Sequence, residues 1–119
     1  MAEHNEFGKK GEDLATAYLQ NEGYQILKRN YTFKKAEIDI IAQKENILSI
    51  VEVKARSSTD FQNLQDAVNK KKIQQIVKAT DHYIVTNNIE KEVRFDIIAI
   101  TGKDKNYTLE HLEDAFYHF

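Results

Sequence analysis

The chain has 119 residues and a formal net charge of −2, with 41% hydrophobic and 30% charged residues, proportions of a soluble globular chain and not of a disordered or membrane-spanning one. That length suits one domain, 1–119, because two separate cores would each approach the size where burial no longer offsets chain entropy. Without cysteine there are no disulfides, thiolate zinc sites or cysteine nucleophiles, and four histidines without HExxH or His-x-His spacing argue against a histidine-rich metal site. No apolar run reaches the ~18 residues of a membrane helix, and Met1–Glu6 lacks a basic-then-apolar leader, so the chain is expected in the cytoplasm and off the membrane.

From Asn5 to Gln20, Phe7, Gly11, Leu14, Ala15, Tyr18 and Leu19 recur at steps of three and four, which predicts a helix with one buried stripe that stops at Gly23. Three extended segments follow: Tyr24 to Phe33, Ala36 to Gln43, and Ile47 to Arg56. The last two are separated by only Lys44-Glu45-Asn46, which forces a hairpin. A polar connector runs from Ser57 to Gln65. A second helix starting near Asn69 or a few residues before it carries Ile73, Ile76, Val77, Thr80, Tyr83 and Ile84 on one face. Glu92 to Ile100 is the next strand, a weaker one lies around Tyr107 to Leu109, and the tail His111 to Phe119 is expected to form a short helix. More than thirty residues containing a helix separate Ile47–Arg56 from Glu92–Ile100, so these strands can pair in parallel through a crossover. The expected fold is α/β, a mixed sheet flanked by helices in the order α-β-β-β-α-β with a small C-terminal addition.

Charge is distributed unevenly: residues 1–78 hold 13 Lys or Arg against 11 Asp or Glu, and residues 79–119 hold 4 against 8. Two acids stand where apolar strands should carry none. Along Ile47–Lys54 the period of two places Leu48, Ile50, Glu52 and Lys54 on one face, although a strand this apolar is expected to be covered on both sides. In Glu37–Ala42, Asp39 shares a face with Ile41, and Ile38 and Ile40 share the other. If the hairpin turns at Glu45, Asp39 lies near Val51 or Glu52. An unpaired buried charge costs several kcal/mol or more, so these groups need partners or a solvent-filled cleft. Two carboxylates, further oxygens and water suit a hard cation such as Mg²⁺. Lys54, two residues past Glu52, projects on the same side and can orient a water or neutralise a phosphate. The competing reading is a solvated Glu-x-Lys pair. Glu12 follows Gly11, whose missing side chain lets the first helix approach the sheet. It is either a cleft carboxylate or an ordinary exposed helical Glu.

Asp39, thirteen residues before Glu52-Val53-Lys54, resembles the signature of the PD-(D/E)xK nuclease superfamily, and the element order resembles its restriction-endonuclease-like core. More closely, the chain resembles the YraN family of small bacterial endonuclease-like proteins. The resemblance rests on Gly8-Lys9-Lys10-Gly11-Glu12, Gly23–Leu27, Arg29-Asn30-Tyr31, Glu37–Ala42, Val51–Arg56, Ala67-Val68 with Lys72, Arg94-Phe95-Asp96 and His111–Phe116. Ala36 and Gln62 stand where that family usually has glycine. Archaeal Holliday-junction resolvases are similar in plan, which suggests Glu12, Asp39, Glu52 and Lys54 as one catalytic constellation. The resemblance implies a Mg²⁺-dependent DNA endonuclease, with Mn²⁺ as substitute and branched DNA among its candidate substrates. Asp39, Glu52 and the Val53 carbonyl would hold the metal. Lys9, Lys10, Lys34, Lys35, Arg56, Lys70, Lys71 and Lys72 are candidate phosphate contacts, and a homodimer follows by analogy with enzymes that make two symmetric cuts. The alternative is a catalytically inactive nucleic-acid-binding or protein-interaction module that keeps the fold.

Overall fold

The computed structural model describes residues 2–56, 70–103 and 106–115. The expected connector Ser57–Gln65, the Phe7 side chain and the tail from Phe116 onward lie outside the described residues. The elements are α1 (Ala2–Asn21), β1 (Gln25–Phe33), β2 (Ala36–Lys44), β3 (Ile47–Arg56), α2 (Lys70–Asn87), β4 (Glu92–Lys103) and β5 (Asn106–Leu112). They build a five-stranded mixed sheet in the order β1-β2-β3-β4-β5, with β3 and β4 parallel and the other pairs antiparallel.

Each helix covers one sheet face. Ala15 and Leu19 of α1 pack with Tyr24, Ile40, Ala42, Val51, Ile98 and Ile100. On the other side Ile73, Ile76, Ala79 and Tyr83 of α2 pack with Ile38, Ile41, Leu48, Ile50, Phe95 and Ile97. The apolar stripes read from helical spacing therefore do the burying, and β3 is covered on both faces as its composition demands. Both helices end in the same backbone arrangement. At α1, Gly23 takes φ 97° and the amides of Gly23 and Tyr24 bond to the carbonyls of Gln20 and Leu19. At α2, Asn88 (φ 52°) takes the glycine's place, with Ile89 bonding back to Ile84, because asparagine tolerates the left-handed region better than most residues.

The β2–β3 register runs from Lys44↔Ile47 to Ile40↔Val51 around a two-residue turn at Glu45 and Asn46. One expectation fails in β2. Ile38 packs on the α2 side and Ile40 on the α1 side, so these residues do not share a face. Alternation slips at Asp39, and Asn30, opposite it in the β1–β2 register, takes φ 53°. A slip of this kind is local irregularity in the manner of a bulge and cannot be read from a period-two pattern.

The tail also departs from expectation. β5 continues through Leu112 and is followed by a turn, where a helix from His111 was expected. The cause is Asp96, 0% exposed. Its carboxylate accepts hydrogen bonds from Arg94 (2.8 and 2.9 Å), Ser49 Oγ (2.7 Å) and the Asp114 amide (3.1 Å), and lies 2.9 Å from His111 Nε2. Tyr18 Oη closes the network on His111 Nδ1 at 3.0 Å, and the Ala115 amide bonds to the Phe95 carbonyl at 2.7 Å. Burial would raise the Asp96 pKa, but the bonds from His111, Arg94, Ser49 and Asp114 outweigh it and hold the carboxyl below the ordinary carboxylate range.

Two predictions follow from these contacts. A Cβ on Gly11 would stand 2.8 Å from Ala55 Cβ, so Gly11→Ala should cost about 1–3 kcal/mol in urea unfolding, and adding Ala55→Gly should recover most of it. Asp96→Asn should cost about 3–5 kcal/mol by stranding Arg94. A depressed folded pKa contributes stability above the unfolded value and loses it as pH falls through the folded one. Acid titration from about pH 4 downward should therefore steepen the unfolding of wild type relative to Asp96→Asn.

Candidate active site

The slip at Asp39 turns its carboxyl toward β3, where Oδ2 accepts the Val53 amide at 2.8 Å. That side-chain bond comes just beyond the last ladder pair, Ile40↔Val51, at the end of the sheet where β2 begins and β3 finishes. A strand residue directs its N–H and C=O to the same edge, so the Val53 carbonyl points to the β2 side of β3. One further step in the same register sets Asp39 against Glu52, and both carboxyls line one cleft. The two acids singled out in the sequence do converge.

Glu52 is 4% exposed and is surrounded by amines. Lys54 Nζ lies 3.5 Å from its Oε2, and Lys72, from the first turns of α2, forms an ion pair with the same oxygen. Burial pushes the Lys54 ammonium below its ordinary pKa against the pull of Glu52. Burial opposes the charge on Lys72 too, but there the Glu52 carboxylate prevails and raises it. Asp39 goes the other way for an acid: burial, then repulsion from Glu52, lift its carboxyl to about 8, against the Val53 amide, which lowers it. A cleft of about 400 Å³ opens over the acids, bounded by Lys35, Glu37 and Ala36 on the β1–β2 side and by Lys71, Lys72 and Gln75 on α2.

Glu12 stands apart from this pair. Its Oε1 lies 3.6 Å from Arg29 Nη2, which also bonds Asp13 at 2.9 Å, and it reaches Asp39 only as one more negative charge. In the sequence Arg29 stands out only as half of the basic doublet Lys28-Arg29 and within the Arg29-Asn30-Tyr31 motif. Among the described residues, no group of three or more His, Cys, Asp or Glu gathers at metal-binding distance. The oxygens that would hold a cation here are those of the Asp39 and Glu52 carboxyls with the Val53 carbonyl. Such a set fits Mg²⁺, which takes one or two carboxylates and keeps its waters, and does not fit zinc.

The lysines divide among different surroundings. Lys35, Lys71 and Lys72 line the cleft, and Lys34 is exposed beside it with its ammonium 5.5 Å from the Phe33 ring centroid. Lys70 is exposed at the start of α2. Arg56 is exposed at the end of β3 and donates to the Ala55 carbonyl at 3.2 Å. Lys9 and Lys10 are exposed on α1, which covers the opposite face of the sheet. Lys72 is thus an acid-pair partner as well as a cleft cation, a role that a lysine triplet in sequence does not disclose.

A five-stranded mixed sheet between two helices, with acids converging from adjacent strands and Glu-x-Lys on the central one, is consistent with a restriction-endonuclease-like core. The chain matches the family described as "Uncharacterised protein family UPF0102" over residues 11–100. It belongs to that family, the one also called YraN. It is 60% identical over 119 residues to a UPF0102 protein of Flavobacterium psychrophilum and 57% identical over 125 residues to one of Flavobacterium johnsoniae. A UPF0102 protein of Christiangramia forsetii is 53% identical over 119 residues, and in all three cases the match covers 100% of both chains. No helix among the described residues is long and apolar enough to cross a membrane.

The raised Asp39 pKa yields a prediction for the chelator-treated protein. The folded value of about 8 exceeds the unfolded one, so Asp39 contributes stability that is complete below its ordinary pKa of about 3.9 and disappears as pH rises through the folded value. Urea midpoints for wild type should fall from about pH 4 to about pH 8 and level off above that, and Asp39→Asn should remove most of that decline.

Proposed function

We propose that this chain is a Mg²⁺-dependent endonuclease that hydrolyses phosphodiester bonds in DNA, with branched DNA among its substrates. The observation that carries the reading is the convergence of the Asp39 and Glu52 carboxyls beside the Val53 amide, with two lysine ammonium groups on Glu52. Asp39, Glu52 and the Val53 carbonyl would hold the cation, for which Mn²⁺ can substitute. When bound, it supplies Lewis-acid stabilisation of charge developing on the scissile phosphate.

The remaining chemistry belongs to the chain. Lys54, held against Glu52 on the same strand face, is placed to orient the attacking water and to offset charge on the phosphorus as it becomes five-coordinate. Glu12, fixed by Arg29, adds a carboxylate on the α1 side that can position a water or assist a second ion. Lys35, Lys71 and Lys72 line the cleft and give a phosphate backbone its counter-charge without reading sequence. By likeness to the superfamily, the ends produced are 5′-phosphate and 3′-hydroxyl. The reading carries with it a cytoplasmic location and, for paired cuts on a branched molecule, a homodimer.

A second reading has one observation in its favour. Lys54 and Lys72 already neutralise Glu52, so the acids can serve as an ion-paired knot in an inactive nucleic-acid-binding or protein-interaction module.

Cleavage of junction, flap and single-stranded DNA with Mg²⁺ or Mn²⁺ separates the two. Wild type should cut at least one of these, and Asp39→Ala and Lys54→Ala should each lose about 100-fold or more. Equal cleavage by all three proteins, or none by any, would reject the endonuclease. In parallel, Mg²⁺ should raise the melting temperature of wild type and leave that of Glu52→Ala unmoved.

A further inference from the structure

Beside the acid cleft, at the margin of the α2-side core, lies an aromatic cluster whose exposed member, His82, the proposed chemistry does not use. The His82 ring stacks on Phe33 with centroids 4.2 Å apart and planes inclined by 22°. Its Nδ1 lies 2.7 Å from Tyr31 Oη, and Tyr31 packs edge-on against Tyr83 at 5.2 Å. His82 is exposed, whereas Tyr83 is buried. Phe33 covers one face of the ring and Tyr31 lies at 6.5 Å between centroids with planes inclined by 29°, while the residue as a whole stays exposed. The Tyr31 bond fixes the ring's orientation, so a flat surface is held ready at little entropic cost.

The cluster is continuous with the cleft on both banks. On the sheet side, Phe33 pairs directly with Ala36, a cleft residue, and Ala36 precedes Asp39 by three positions, about 10 Å along β2. Exposed Lys34 and Lys35 occupy the turn between them, with Lys34 over the Phe33 ring. On the helix side, Lys71, Gln75, Lys78 and His82 follow one another at steps of four, three and four, which is a single stripe along α2. Lys71 and Gln75 line the cleft, Lys78 is exposed, and His82 ends the row at the aromatic cluster. Cations therefore flank the whole path from the acid pair to the ring face.

We propose that His82, backed by Phe33 and Tyr31, is a stacking platform for an unpaired nucleobase, so that the chain takes single-stranded nucleic acid, or the single-stranded arm of a branched one, along this lysine-lined path toward Asp39 and Glu52. Every base offers a π-face and every backbone a phosphate, so aromatic rings interleaved with lysines hold a single strand without reading its sequence. Paired bases in a duplex are already stacked on their neighbours and cannot present a face to His82. This proposal deepens the endonuclease reading and rests on it only for the direction of the path.

Binding in EDTA tests it apart from cleavage. With a labelled single-stranded oligonucleotide and a blunt duplex of equal length, His82→Ala should weaken single-strand binding by about tenfold and leave duplex binding within about twofold. His82→Phe, which keeps a flat ring, should restore the single strand. A 2-aminopurine base in the oligonucleotide should be quenched by wild type and less so by His82→Ala. Lys34→Ala and Lys78→Ala should weaken binding and reduce its salt dependence, as lost phosphate contacts do. Unchanged single-strand binding by His82→Ala, or an equal loss on duplex, would overturn the platform. If the platform's signature holds while wild type cleaves nothing with Mg²⁺ or Mn²⁺, the endonuclease reading falls and the platform stands. Cleavage of DNA by wild type with no His82 dependence of binding gives the reverse.

Discussion

Two carboxyls forced together at the end of a sheet set the terms for everything around them. At about 4 Å, like charges repel by roughly 4 kcal/mol even when the effective dielectric constant is near 20, and burial adds the cost of lost hydration. Asp39 and Glu52 bear this load through three offsets: the Lys54 and Lys72 ammonium groups, the Val53 amide, and a proton retained on Asp39. The backbone bends to it as well. Regular pairing of β2 with β3 ends at Ile40↔Val51, and beyond that point a side chain takes the amide that a strand carbonyl would otherwise accept. Local rules broken inside a well-ordered core are most economically understood as demands of a site.

The second buried aspartate shows what a purely structural solution looks like. Asp96 sits one strand away on the α1 side, and its carboxylate gathers an arginine fork, a serine hydroxyl, a histidine and an amide. Its pKa falls despite burial, whereas that of Asp39 rises. The residue type is the same and Asp96 is the more enclosed of the two, so burial alone would order them the other way and the difference comes from the partners. Donors converging on one acid fix it as a charged rivet, here one that ties β5 and the following turn to the sheet. An acid facing another acid across a cleft is held short of cations, which is the electrostatic condition of a cation-binding or catalytic group.

How much of this was legible in the sequence depended on range. Helical stripes and the side shared by Glu52 and Lys54 follow from local periodicity, and they are where the pattern puts them. The turn at Glu45-Asn46 fixed the register, so Asp39 was brought to its partner by counting residues. The face of Ile38 was not recoverable, because a slip of one residue leaves no mark on composition. Nor was the tail: His111 joins β5 through an aspartate fifteen residues away, and local propensity says nothing of that bond. Lys72 reads as one of three surface lysines until the phase of α2 aims it at Glu52. Asp96 enters the sequence reading only through the Arg94-Phe95-Asp96 motif, because its partners are one neighbour on its own strand and three residues from other parts of the chain.

Net charge, the strongest sequence-level objection to a nucleic-acid partner, loses its force once the charges have positions. A surplus of two acids over 119 residues is a statement about the sum. What a phosphate senses is the field within about 8 Å, the screening length at physiological salt. Within the cleft and its flank stand Lys34, Lys35, Lys71, Lys72 and Lys78. Much of the opposing charge belongs elsewhere: residues 79–119 carry 8 acids against 4 bases, with Asp96 already consumed by Arg94. An acidic protein can thus keep a basic groove, because low-dielectric walls focus the local field and solvent screens the rest. The same separation explains why Lys72 can serve Glu52 without emptying the groove of cations: Lys35 and Lys71 line the same cleft.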